Sequence, residues 1–171
     1  LIYLHKGHKI MIDGICIEIL YPEKKQQSIY REELSEDEEN KSSLVIKITV
    51  EGYDILMTGD IDGETEEKIV AEYKNSQKLR ADILKVSHHG SRFSSSDNFL
   101  DAVAPKMAVF QVGKNNYGHP SSDVIEKCRK KGIMIFRNDK SGAIGFIWSD
   151  GREELHIKKV IKDQQDRDRI Y

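Results

Sequence analysis

Three motifs between Ile55 and Pro120 decide the fold. The chain reads Ile55-Leu56-Met57-Thr58-Gly59-Asp60, then Ile83-Leu84-Lys85-Val86-Ser87-His88-His89-Gly90-Ser91, then Asn115-Asn116-Tyr117-Gly118-His119-Pro120. Twice an apolar strand stops abruptly in groups able to bind a metal, first Asp60, then His88 and His89. His119 follows in the third motif. Strand ends gathered along one edge of a sheet are where α/β folds place their chemistry.

Working outward, the pattern alternates strands with helices. Lys9 to Leu20 holds two short strands joined at Asp13-Gly14, a hairpin signal. Residues 22–43 form an acidic, polar stretch read as a solvated loop. Leu44 to Val50 sets Leu44, Ile46, Ile48 and Val50 against Val45, Lys47 and Thr49, a strand with one strongly apolar face. Tyr53 to Met57 and Ile83 to Val86 are the next strands. Between them Asp62 is placed to cap a helix carrying Ile69, Val70 and Tyr73 on one side. Ser94-Ser95-Ser96-Asp97 starts a short helix that ends before Pro105. Pro120-Ser121-Ser122-Asp123 opens another, closed by Gly132. Met107 to Val112, Ile133 to Phe136, Ala143 to Trp148 and Leu155 to Val160 complete the strands. This order predicts a layered α/β fold. Residues 1–160 read as a single partial domain and 161–171 as a polar tail.

Composition narrows the function. With 171 residues, 38% hydrophobic and 33% charged, the chain suits one soluble domain with a real core. A formal net charge of −2 lacks the basic excess of a generic nucleic-acid binder, so any such role needs a local basic stripe or a bound cation. Cys16 and Cys128 lack a C-x-x-C spacing and read as two buried thiols. No apolar run reaches the roughly 18 residues of a membrane span. Leu1-Ile2-Tyr3-Leu4, without an initiating Met, reads as mid-domain sequence, an excised stretch.

Each candidate residue has two readings. Asp60 is either a carboxylate bridging two metals or the cap of the helix after it. His88 and His89 would point to opposite faces if the strand continued, so one is a ligand and the other orients it or touches substrate; a pair of exposed turn histidines is the plainer reading. His119 stands before a helix N-terminus, where it contacts a phosphate, donates a proton, or only packs on Tyr117. Lys85 is a strand-face lysine or a phosphate contact, with the former preferred. Ser91 and Ser94-Ser95-Ser96 lack a G-x-S-x-G elbow, which leaves capping and phosphate hydrogen bonding. Arg92 and Lys114 add local positive charge. His5, His8 and His156 have no such context.

These motifs, with Asn40-x-x-Ser43-Leu44-Val45 and Asp139-x-x-Gly142-Ala143-Ile144, resemble the metallo-β-lactamase-like domain of the ComEC family of DNA-uptake competence proteins, from about Gly7 to Gly151. The resemblance implies part of a four-layer αββα sandwich with mixed sheets and flanking helices. It implies two divalent metal ions, zinc or manganese, and hydrolysis of DNA phosphodiesters. Asp60 and His88 would be metal ligands, His89 and His119 catalytic, and Ser91 and Asn116 substrate contacts. The family's H-x-H-x-D-H motif is absent here. This chain then corresponds to the C-terminal part of the domain, inactive or nearly so by itself and with few or no metals bound. Its expected partners are single- or double-stranded DNA, the N-terminal half of the domain, the membrane channel of the parent protein, or a second copy of itself. The expected setting is the extracytoplasmic side of a bacterial membrane protein. Two other readings use the same residues, an ester hydrolase of the same superfamily and a non-catalytic interaction module.

Overall fold

A computed structural model of the chain describes residues 3–24, 36–148 and 155–160. The tail 161–171 and residues 25–35 of the acidic stretch lie outside them. Strands β1 (Lys9–Ile12), β2 (Ile15–Tyr21), β3 (Val45–Val50), β4 (Tyr53–Met57), β5 (Ile83–Lys85), β6 (Met107–Phe110) and β7 (Met134–Arg137) form one seven-stranded sheet in sequence order. β1 to β4 run antiparallel. Asp13 (φ 47) and Gly14 (φ 82) make the first turn, with Ile12 opposite Ile15. That is the left-handed pair a two-residue hairpin requires.

β4 to β7 run parallel. Parallel neighbours need crossovers, supplied by α2 (Gly63–Tyr73), α3 (Asp97–Val103) and α4 (Ser122–Lys130). Right-handed crossovers that always step the same way put every helix on the same face. The packing agrees. Ile69 and Tyr73 of α2, Phe99, Leu100 and Val103 of α3, and Val124, Ile125 and Cys128 of α4 share one core with Leu56, Leu84, Ala108 and Phe110 of the strands. Local chemistry starts each helix. Asp62 accepts from Thr65 N–H, Ser96 from Phe99 N–H and Ser121 from Asp123 N–H. Asp62→Ala is expected to cost about 1 kcal/mol, the usual worth of such a cap, read from the urea midpoint.

The opposite face carries Ile83, Met107 and Val109, packed with Ile55, Phe136, Ile144 and Phe146. The last two belong to β8 (Ala143–Trp148), which pairs antiparallel with β9 (Leu155–Val160) as a separate hairpin. Ile48 of β3 sits opposite Ile55 and so on this same face. There Ile46 and Ile48 are only half-buried, and it is Val45, turned toward the helices, that is fully buried. The strongly apolar stripe of this strand therefore faces away from the helical core.

The fold is thus mixed α/β, with a seven-stranded sheet and flanking helices. Two short helices go beyond the sequence reading. α5 (Asn138–Ser141) follows β7, and α1 (Glu36–Lys41) lies inside the stretch read as a solvated loop. Tyr21 Oη donates to Lys41 carbonyl at 2.9 Å and ties the end of α1 to β2, a tertiary contact no local signal announces. Cys128 is buried and burial pushes its thiol up to about 11, whereas Cys16 is half-buried, which corrects one of two expected buried thiols. No helix among the described residues is long and apolar enough to cross a membrane.

Candidate functional site

The site begins where β4 ends. Thr58, buried, donates its hydroxyl to the Lys85 carbonyl at 2.8 Å and fastens the end of β4 to β5. Gly59 turns the chain with φ +55, and a Cβ there would lie 2.7 Å from Ser43 Cβ. Only glycine permits that approach. Asp60 N–H then donates to Ser43 Oγ at 3.2 Å. The cap of α2 is Asp62, so the Asp60 carboxylate is not spent on the helix. Instead Lys85 Nζ lies 3.3 Å from its Oδ1, and His89 Nε2 lies 3.5 Å from its Oδ2.

Lys85 is not an outward strand lysine. It is buried and also donates to the Gly59 carbonyl at 2.7 Å. Burial lowers its pKa, and the neighbouring Asp60 works against that shift. One ammonium thus braces the whole Gly59-Asp60 turn.

The histidine pair is not on a strand. β5 stops at Lys85, and Ser87–Gly90 is a kinked turn in which His88 (φ 45, ψ 47) and His89 (φ 54, ψ 18) are both left-handed. Two consecutive non-glycine residues there cost on the order of 1–3 kcal/mol each and persist only when their surroundings over-determine them. The alternation expected for a continuing strand is therefore lost. Asp60 faces His89, while His88 turns to His119, with ring centroids 5.6 Å apart. His119 has its pKa lowered, first by burial and then by His88, His89 and Arg92.

His89 has a defined tautomer. Its Nδ1 contacts the Gln111 carbonyl, which can only accept, so the proton resides on Nδ1. In its neutral form the ring turns the Nε2 lone pair toward the Asp60 carboxylate, and in its protonated form it pairs with that carboxylate. Two acceptors at that separation repel unless a proton or a cation lies between them. In kind, these donors fit zinc or manganese. They are an incomplete shell, because no group of three or more His, Cys, Asp or Glu among the described residues is arranged to hold a metal ion.

The turn is held from several sides. His88 N–H donates to the Gly59 carbonyl at 3.2 Å, and Ser94 Oγ donates to the carbonyls of Ser87 and Ser91 at 2.9 and 3.0 Å. Ser91 itself is buried, and its Oγ accepts from Phe93 N–H at 3.4 Å, so it braces the loop. Asn116 is exposed, as is Lys114. Asn115 organises the third motif, accepting from the N–H groups of Tyr117 and His119, both at 3.1 Å, and donating to the His119 carbonyl at 2.8 Å. His5 and His8 pack against each other, with centroids 3.9 Å apart.

Sequence reasoning missed Glu66. This residue of α2 is wholly buried, and its carboxylate accepts from Ser95 N–H at 2.7 Å and Ser96 N–H at 2.8 Å. The clamp joins α2 to the segment between the histidines and α3. A signal did exist, since Glu66 stands three and seven residues before Ile69 and Tyr73 on the buried side of the helix, where a charge needs a partner.

No protein-family model matches the chain. Its curated relatives include a competence protein. It is 36% identical over 151 residues to competence protein ComA of Neisseria gonorrhoeae and 31% identical over 146 residues to ComE operon protein 3 of Bacillus subtilis, matches covering 88% and 85% of this chain. Recombination protein 2 of Haemophilus influenzae is 28% identical over 118 residues, 68% of the chain. The chain spans 20%, 17% and 14% of the lengths of these three relatives, respectively. The chain belongs to the ComEC family of competence proteins, of which it matches one stretch.

Proposed function

We propose that this chain is part of a metal-dependent hydrolase that cleaves DNA phosphodiesters during competence DNA uptake. Its fold would be one part of a four-layer αββα sandwich. The observation that carries the reading is the convergence of Asp60, His88, His89 and His119 beyond the ends of consecutive parallel strands, with the Asp60 carboxylate 3.5 Å from His89 Nε2. Membership of a competence family supplies the DNA context. The half-buried isoleucine stripe of β3 supports the sandwich, because a second layer seated there would cover it.

Asp60 and the histidine turn would hold the ion, and the remaining ligands would come from a further segment of protein. Bound there, zinc or manganese would supply a water of lowered pKa and positive charge for the phosphoryl oxygens. Lys85 keeps the Asp60 turn in place. His89, its Nδ1 proton committed to Gln111, presents Nε2. His119, beside His88, would pass a proton to the leaving oxygen.

Weak binding is enough for the test. Manganese titrated into the chain should broaden the imidazole signals of His88, His89 and His119 by paramagnetic relaxation, and leave those of His5 and His8 sharp. Asp60→Ala should abolish the selectivity. Uniform broadening of all histidines, or broadening indifferent to Asp60→Ala, would remove the metal site and with it this reading.

A further inference from the structure

Beside the histidines the molecule exposes two aromatic rings. Phe93 is 74% exposed and Tyr117 is 80% exposed. A single exposed aromatic needs no explanation. These two flank one arginine. The Arg92 guanidinium lies 5.7 Å from the Phe93 ring centroid, and Arg92 lines a polar cavity of about 240 Å³ together with Tyr117, Gly118, His119, Ser121, Ser122 and Asp123. The cavity therefore lies beside Tyr117, includes one histidine of the candidate site, and is joined to Phe93 through Arg92.

Both rings stand on pinned backbone. The Phe93 carbonyl accepts from Gly63 N–H at 2.7 Å, and its N–H points to Ser91 Oγ. Tyr117 N–H is held by Asn115 Oδ1, and its ring lies nearly parallel to that of His119, at 25° with centroids 6.0 Å apart. An exposed ring on a fixed backbone loses little conformational freedom when something stacks on it. Arg92, planar and permanently charged, covers one aromatic face while its N–H groups remain available to phosphate.

We propose that Phe93 and Tyr117 form a base-stacking platform for unpaired nucleotides, with Arg92 between them contacting the phosphate. The proposal rests on the reading of DNA as substrate and names its form. Bases stacked inside a duplex cannot reach these rings, whereas splayed bases of a single strand can, whatever their identity. The platform would deliver the single strand, backbone inward, to the strand ends that carry Asp60 and the histidines.

Binding without metal tests this separately from hydrolysis. Fluorescence anisotropy of the full chain would be measured with a labelled oligothymidylate, a duplex of equal length and an abasic oligomer of equal charge. The single strand should bind at least about tenfold more tightly than either competitor. Phe93→Ala and Tyr117→Ala should each weaken it about tenfold, within the 5- to 150-fold range expected for the loss of one stacked base. Phe93→Trp and Tyr117→Trp should restore it. Both positions are exposed, and an unchanged circular dichroism melt would confirm intact folding. Equal binding of abasic and thymidylate strands, unaltered affinity in the alanine variants, or no binding at all would overturn the platform. If stacking holds while manganese fails to select the site histidines, the hydrolase reading alone falls. If manganese selects them and stacking fails, only the platform falls.

Discussion

Glu66→Ala is expected to destabilise the chain by about 3 kcal/mol, with the urea midpoint falling and the slope unchanged. The carboxylate is wholly buried and satisfies two backbone N–H groups, those of Ser95 and Ser96. Hydrogen bonds to a charged group are worth about 1.5–3 kcal/mol each, and a buried donor left without a partner costs about 1–3 kcal/mol. Against these stands the cost of burying the carboxylate, so the net loss is smaller than the sum. Glu66→Gln should cost less, since its one carbonyl keeps one of the two N–H bonds while its amide faces the other.

The same pair of variants carries a pH signature. Burial raises the Glu66 pKa above its ordinary value of about 4.5, and the Ser96 and Ser95 N–H groups oppose the rise. The folded chain thus holds this proton more tightly than the unfolded chain does. The stability this contributes is full below the ordinary value and is lost as pH rises through the folded value. The midpoint of the unaltered chain, measured relative to Glu66→Gln, should therefore decline as pH climbs from about 4.5 toward neutrality. A flat difference across that window would mean that Glu66 is not held in a desolvated pocket.

Gly90→Ala is expected to cost a comparable amount, about 2–5 kcal/mol, from about 1–2 for left-handed backbone and about 1–3 for overpacking. Gly90 has φ +83, and a Cβ there would lie 2.8 Å from both Phe110 Cδ1 and Pro120 Cβ. Neither neighbour yields easily. Phe110 is fully buried in the helical core, and Pro120 precedes Ser121, whose N–H donates to the Gly90 carbonyl at 2.8 Å. The substitution should also disturb the site, because Gly90 closes the turn that holds His88 and His89 left-handed. Calorimetric melting would read the stability, and imidazole shifts of His89 and His119 would read the displacement. A stable variant with unmoved shifts would show that the packing around Gly90 yields more than its distances imply.

Where a signal needs only neighbouring residues, the sequence was readable. The Asp13-Gly14 hairpin, the cap Asp62, the serine runs that open α3 and α4, and the strands ending near Asp60 and the histidines are each local hydrogen-bonding or conformational choices. The left-handed pair His88-His89 was not readable. Strand momentum from Ile83 argued for alternation, and only the surrounding contacts at Gly59, Ser94, Phe110 and Pro120 hold the turn. Lys85 was ambiguous for a similar reason. A lysine at a strand position reads as exposed unless the Gly59 carbonyl and Asp60 are known to lie within its reach.

By itself the sequence determined the alternation of elements, the strand ends that hold chemistry-bearing side chains, and the likeness to a competence family, because each resides in short runs of neighbouring residues. The tertiary structure decided the pairings. Parallel strands β4, β5 and β6 bring Asp60, His89 and the Gln111 carbonyl together from three separate strand ends, and their register depends on how three helices pack across one face of the sheet. Side chains distant along the chain become neighbours only once that packing exists. Hence the choice of His89 over His88 as the partner of Asp60 belongs to the fold.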